Sequence, residues 1–189
     1  MTGSRTAWVT AVLVTATLGA VAVPTVATAA PAPRAAAACP TGWGSLSKVD
    51  LSSTSGEYIT NARTGRHDCY DRFVVDVPGA SADQLGYTVS YVDRLIQDPT
   101  GDPIPVRGGA ILEVVVRAPA YDSGMPTYPG QAGQPLPGVN LTGYRTFRDA
   151  KFASSFEGQS QFGLGVRARL PFRVLQLDGH LVVDVAHTW

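Results

Sequence analysis

Lysine is almost missing from this chain: Lys48 and Lys151 are the only two among 189 residues. Charged residues of either sign make up only 16% and the formal net charge is zero, so the balance calls for neither nucleic acid nor an anionic membrane surface as partner. Histidine is limited to His67, His180 and His187. Without a short-spaced ligand pair these do not form the usual zinc patterns, and no metal or cofactor is expected. A Gly-x-Ser-x-Gly nucleophile elbow is also lacking, because Gly158-Gln159-Ser160-Gln161 continues into Phe162. No two carboxylates are spaced as an acid and base, so no catalytic residue is assigned and the chain reads as a non-enzyme. Beyond the N-terminal region no segment sustains a 3.6-residue period, which excludes a helical domain.

What is present begins with an export pattern. Arg5 precedes an apolar stretch over residues 8–23, and Ala27-Thr28-Ala29 before Ala30 fits a small-x-small cleavage site. Residues 1–29 are therefore read as a signal peptide, with an uncleaved membrane anchor as the competing reading. After cleavage no membrane span is expected. Residues 30–38 (Ala-Pro-Ala-Pro-Arg-Ala-Ala-Ala-Ala) form a low-complexity linker, and residues 39–189 make one domain of ordinary size. The only cysteines, Cys39 and Cys69, lie in the exported part, so an oxidised pair is expected.

The strongest positive signal is a strand written twice, Phe73-Val74-Val75-Asp76-Val77 and Leu181-Val182-Val183-Asp184-Val185. In each copy the first, third and fifth residues share one apolar face and the Asp falls on the other. Similar alternation marks strands at 59–64, 70–77, 87–92, 110–118, 144–152, 158–166, 172–176 and 180–187. The fold class is all-β, a single β-sandwich of about eight mostly antiparallel strands. Asp178-Gly179 reads as a hairpin turn, and residues 80–85 as one helical turn. Two long Pro/Gly-rich loops, 97–109 and 118–140, interrupt the strands; such loops are functional excursions or stiff surface segments. Asp76 and Asp184 are expected to mark register by pairing with arginines drawn from Arg72, Arg167, Arg169 and Arg173; a coupled carboxylate dyad is the alternative.

For binding, the sequence offers a mixed aromatic and arginine surface made of Arg63, Arg66, Tyr144, Arg145, Phe147 and Arg148. Guanidinium forks suit carboxylates on peptides or muramic acid sugars, and aromatic faces suit sugar rings. The plainer reading is a core face with solvated arginines. Two other functions stay open. One is a small secreted hydrolase or metal-dependent enzyme built on His67, Asp68 and His187. The other is a protein-interaction module acting through the 119–138 loop, in which case deleting 122–135 should leave the fold intact.

Four separated blocks carry a family resemblance: Cys39-Pro40-Thr41-Gly42-Trp43-Gly44, the run Gly65-Arg66-His67-Asp68-Cys69-Tyr70-Asp71-Arg72-Phe73-Val74-Val75-Asp76, Arg117-Ala118-Pro119-Ala120-Tyr121, and Gly163-Leu164-Gly165-Val166-Arg167-Ala168-Arg169-Leu170-Pro171-Phe172-Arg173-Val174. Together, and in this order, they resemble the AMIN-like domain of secreted bacterial proteins across residues 39–189. The related AMIN domain is a β-sandwich that targets cell-wall amidases and secretin components to peptidoglycan or another envelope site. The resemblance implies a secreted or wall-associated, non-catalytic module whose partner is peptidoglycan or an envelope protein. It transfers no catalytic residue.

Overall fold

The computed structural model describes residues 39, 40 and 42–189; the expected signal peptide and linker lie outside the described residues. In chain order the strands are β1 (Lys48–Asp50), β2 (Asn61–Arg66), β3 (Tyr70–Asp76), β4 (Tyr87–Val92), β5 (Leu95–Ile96), β6 (Pro103–Ile104) and β7 (Ala110–Val116). They continue with β8 (Tyr121–Asp122), β9 (Met125–Pro126), β10 (Phe147–Phe156), β11 (Gln159–Val166), β12 (Phe172–Leu177) and β13 (His180–Ala186). The helical turn expected near residue 82 is a 3-10 turn over Ala82–Gln84.

The expectation of one eight-stranded sandwich is corrected to thirteen strands in four sheets among the described residues. A five-stranded sheet, β1-β4-β7-β11-β10, and a four-stranded sheet, β12-β13-β3-β2, hold nine of them. Every pairing is antiparallel. The eight strands legible by alternation all lie in these two sheets, shifted by up to four residues at their ends. β1 escaped because three residues are too few to show a period. The other four strands form two ribbons, β5-β6 and β8-β9; β6, β8 and β9 lie inside the segments read as long loops, and β5 immediately precedes the first of them.

One apolar core joins the two large sheets. Phe73 and Val75 of β3 and Leu181, Val183 and Val185 of β13 are buried in it with Leu112, Val114 and Val116 of β7 and Phe162, Leu164 and Val166 of β11. Phe73 meets Phe162 edge to face, their rings 5.4 Å apart, a geometry that adds about 0.5 to 1.5 kcal/mol to the area buried. The repeated strands lie side by side, Val182 opposite Val74. That register sets Asp184 opposite Arg72 and His180 opposite Asp76, so the two aspartates do not form a dyad.

β11 is buried on both faces because residues 95–107 strap its outer side. A Cβ on Gly163 would collide with the Leu95 side chain, and one on Gly165 with the Arg107 carbonyl oxygen, so glycine permits the close approach. The second long segment also packs inward. Tyr128 and Leu136 are buried, and Tyr128 lies 5.3 Å from Phe152 and 6.0 Å from Phe162, ring to ring. Removing 122–135 would therefore take a wall from the core, which overturns the expectation that this deletion spares the fold. At the β10-β11 hairpin, Glu157 and Gly158 both have positive φ, 47° and 75°, the two-residue turn that matches strand twist.

Candidate functional site

Antiparallel pairing brings particular strand termini to one end of the sandwich. Arg66 of β2 stands opposite Asp71 of β3, Tyr70 opposite Ala186, Phe147 opposite Val166, and Val166 opposite Ala110. Arg66 closes β2, Arg145 and Arg148 bracket the start of β10, Arg167 follows β11, and Arg107 precedes β7. All five guanidiniums thus share an end, and all five residues are exposed.

The buried Asp71 locks that end together. Its Oδ2 accepts the backbone N–H groups of Thr146 at 2.6 Å and Phe147 at 3.0 Å, tying the four-stranded sheet to the entry of β10. Its Oδ1 lies 3.1 Å from His187 Nε2, and His187 Nδ1 faces the Asp68 carbonyl oxygen at 3.2 Å. Arg167 donates to the His187 carbonyl oxygen, while Arg148 donates to the carbonyl oxygens of Tyr144, Phe147 and Arg145. These bonds make one continuous rim. On one side a polar depression of about 480 Å³ is lined by Arg66, His67, Asp68, Asp71, Gly143, Arg145 and His187. On the other, Arg107, Arg148 and Arg167 surround Gly108 and Gly109.

Electrostatically this end is unbalanced. Among the described residues none of Arg66, Arg145, Arg148 and Arg167 has a carboxylate partner; only Arg107 has one, Asp149 at 3.5 Å. Glu57, Asp83, Asp122, Glu157 and Asp178 lie at the opposite end, by β3's last residue, the β10-β11 and β12-β13 turns and the 3-10 turn. The split is partial, since Asp68 and Asp71 line the depression beside Arg66 and Arg145, Asp149 pairs with Arg107, and Arg117 follows β7 at the opposite end. The zero formal net charge thus conceals a modest excess of arginine at one end and of carboxylate at the other.

Of the candidate binding residues, the structure gathers Arg66, Arg145 and Arg148 at the arginine end. Arg63 lies apart on the outer face of the four-stranded sheet, where its guanidinium binds Asp76 at 2.9 Å. Phe147 is buried in the core. Tyr144 stacks on it with ring centres 6.0 Å apart and donates its hydroxyl to Thr64 Oγ1 at 2.8 Å, so both aromatic rings serve packing. Arg107 and Arg167 complete the rim. Knowing the β7-β11 register from sequence would have revealed them, since it sets the residues flanking both strands at the end where Arg66 lies.

The outer face of the four-stranded sheet carries a second charged arrangement. Asp184, 0% exposed, binds Arg72 at 2.6 Å and Arg173 at 2.8 Å, two of its four expected partners. Arg173 also lies 4.5 Å from the Trp43 ring centre and Arg72 lies 5.3 Å from that of Tyr70. Asp76 binds Arg63 and His180. Burial alone would raise the Asp76 carboxyl, but hydrogen bonds and charge from Arg63, with Asn61 and His180, hold it below the usual range. The expected disulfide joins Cys39 to Cys69 across 30 residues, anchoring the arm that carries Trp43.

His67, Asp68 and His187 do border one depression, but their ring and carbonyl groups are engaged: His67 stacks on Tyr70 with centres 4.5 Å apart. Among the described residues no group of three His, Cys, Asp or Glu is placed to hold a metal ion, and no helix is long and apolar enough to cross a membrane. A family model for the AMIN-like domain matches residues 57–187, well over half of the chain. No curated protein and no solved structure matches it.

Proposed function

The chain belongs to the AMIN-like domain family, and from that membership we propose a secreted, non-catalytic module of the bacterial cell envelope that binds peptidoglycan through its arginine end. The observation that carries this reading is the gathering of Arg66, Arg145, Arg148 and Arg167 on one continuous rim without carboxylate partners. Guanidinium forks of this kind take carboxylates in charge-assisted, bidentate hydrogen bonds, and peptidoglycan presents carboxylates on its stem peptides. The disulfide between Cys39 and Cys69 fits an oxidising, extracytoplasmic compartment.

A binding role rather than turnover is supported by how the polar groups are used. Asp71 and His187 direct their side-chain atoms to internal partners, and the Thr146 hydroxyl donates to the Ala186 carbonyl oxygen. The depression therefore lacks a nucleophile resting on a free base. Co-sedimentation of the exported protein with insoluble peptidoglycan at low salt tests the proposal. Retention without release of soluble sugar or peptide is the expected result; no retention, or release of fragments, contradicts it.

A further inference from the structure

Beside the arginine end lies a second depression, built from different residues. Its volume is about 340 Å³, and its walls include Trp43, Trp189, Pro40, Pro171 and the Cys39–Cys69 bridge, with Thr188 supplying a hydroxyl. Trp43 and Trp189 are the only tryptophans after residue 29, and the fold brings both to this one cleft. No side chain lining it carries a charge.

Both indoles are held in place. Arg173 lies 4.5 Å from the Trp43 ring centre, and Tyr70 packs beside that ring with centres 5.6 Å apart. Trp189 donates its Nε1–H to the Arg169 carbonyl oxygen at 3.2 Å, while the Arg169 guanidinium donates to the Ser45 carbonyl oxygen at 3.3 Å, in the arm that carries Trp43. Arg169 therefore links the two walls. The disulfide and the bond from Phe172 N to Gly44 O at 2.9 Å fix the arm itself. Trp189 is nevertheless 76% exposed. An indole pinned by its N–H but left largely in water adds little burial to the fold; beside a preformed, mainly apolar cleft it makes a contact surface whose ordering cost is already met.

The cleft shares a wall with the arginine depression. Asp68 and His187 line that depression together with Arg66 and Arg145, and their chain neighbours Cys69, Ala186 and Thr188 line the cleft. Along the seam His187 N donates to Cys69 O at 2.9 Å. A ligand lying across the seam meets two indoles on one side and two guanidiniums on the other, so it must pair a neutral ring with an anionic substituent.

We propose that the cleft is a sugar subsite that takes an N-acetylated pyranose ring against Trp43 and Trp189. The C–H groups on a pyranose face carry slight positive charge and suit the negative faces of indoles. An N-acetyl group is neutral, as the uncharged lining requires, and the ring hydroxyls stay at the wet edge or reach Thr188. The volume lies at the low end of the roughly 300 to 1,000 Å³ that small-ligand sites occupy, room for a ring-sized group. This inference rests on the peptidoglycan reading for its orientation: the glycan lies over the tryptophans, and the acidic stem peptide crosses the seam to Arg66 and Arg145.

Chitotetraose, a neutral oligomer of N-acetylglucosamine, titrated into the exported chain tests the subsite by tryptophan fluorescence, which comes from Trp43 and Trp189 alone. A saturable change is expected. Trp189→Ala removes an exposed side chain and should weaken binding about tenfold, read by calorimetry because the variant also loses a fluorophore, with an unchanged circular dichroism spectrum. Arg66→Glu with Arg145→Glu should leave chitotetraose binding intact, because the probe has no carboxylate. Saturable binding by a protein that insoluble peptidoglycan does not retain supports the subsite and fails the arginine reading alone; retention with no response to chitotetraose does the reverse. No saturable response, one undiminished in Trp189→Ala, or one given by phosphatidylglycerol vesicles in place of the sugar overturns the proposal.

Discussion

Asp71 and His187, 116 residues apart in sequence, meet at 3.1 Å in the buried seam beneath the arginine rim. The same carboxylate holds the backbone of Thr146 and Phe147, so it fixes the segment from which Arg145 and Arg148 project. Asp71→Ala would leave a buried imidazole and two buried N–H groups without their acceptor. We expect a loss of about 3 to 5 kcal/mol, read as a lower urea midpoint at unchanged slope.

Tyr128 is 2% exposed, its hydroxyl has no hydrogen-bond partner among the described residues, and burial pushes that hydroxyl up to about 12. A buried donor left unpaired is destabilising, whereas the ring packs on Phe152 and Phe162. Tyr128→Phe should stabilise by about 1 kcal/mol and Tyr128→Ala should cost about 3 to 5 kcal/mol. Equilibrium denaturation of both variants checks this; a clear loss in the Phe variant would show that the hydroxyl has a partner.

Glu113 and Asp76 should give opposite pH dependences. Burial raises the Glu113 carboxyl, the charge of Asp98 adds to this, and the Gln161 hydrogen bond opposes it. A carboxyl raised on folding favours the fold below its unfolded value, and that favour is lost as pH rises through the folded value. Glu113→Gln should therefore be more stable than the parent at neutral pH, with the gap closing in acid. Asp76 is lowered on folding, so Asp76→Asn should be less stable at neutral pH, and its gap should also close as pH falls. Thermal midpoints from acid to neutral pH read both signs.

The Cys39–Cys69 bridge closes a loop of 30 residues, for which the chain-entropy model gives about 3.5 to 4 kcal/mol. Changing both cysteines to serine should lower stability by about that amount and free the arm bearing Trp43. Calorimetry gives the loss, and intrinsic fluorescence reports the indole.

Much of the fold is legible in the sequence where burial has a period. Phe73, Val75, Leu181 and Val183 alternate cleanly and face the core as expected, and Asp178-Gly179 joins β12 to β13 with Gly179 at φ 75°. What alternation could not reveal was that β11, found at 159–166 where a strand is expected, is buried on both faces because a strap covers its outer side, nor the two ribbons, whose two-residue strands carry no pattern. Tyr128 illustrates the difficulty: it lies in a Pro/Gly-rich stretch, and only its tertiary contacts make it a core residue. The site was partly legible for the same reason. Arg66, Arg145 and Arg148 stand near recognisable strand ends, but Arg107 and Arg167 join them only through the β7-β11 register. Phe147 alternates like a surface aromatic and is buried because β10 turns that face inward.

The most direct test of the central claim is retention on insoluble peptidoglycan, measured across salt concentrations for the exported protein and for Arg66→Glu with Arg145→Glu. Both side chains are exposed and neither has a carboxylate partner among the described residues, so the fold should survive. The account predicts retention that weakens as salt rises and drops roughly tenfold or more, about 1.4 kcal/mol, in the double variant. Equal retention of both proteins, independent of salt, would contradict it.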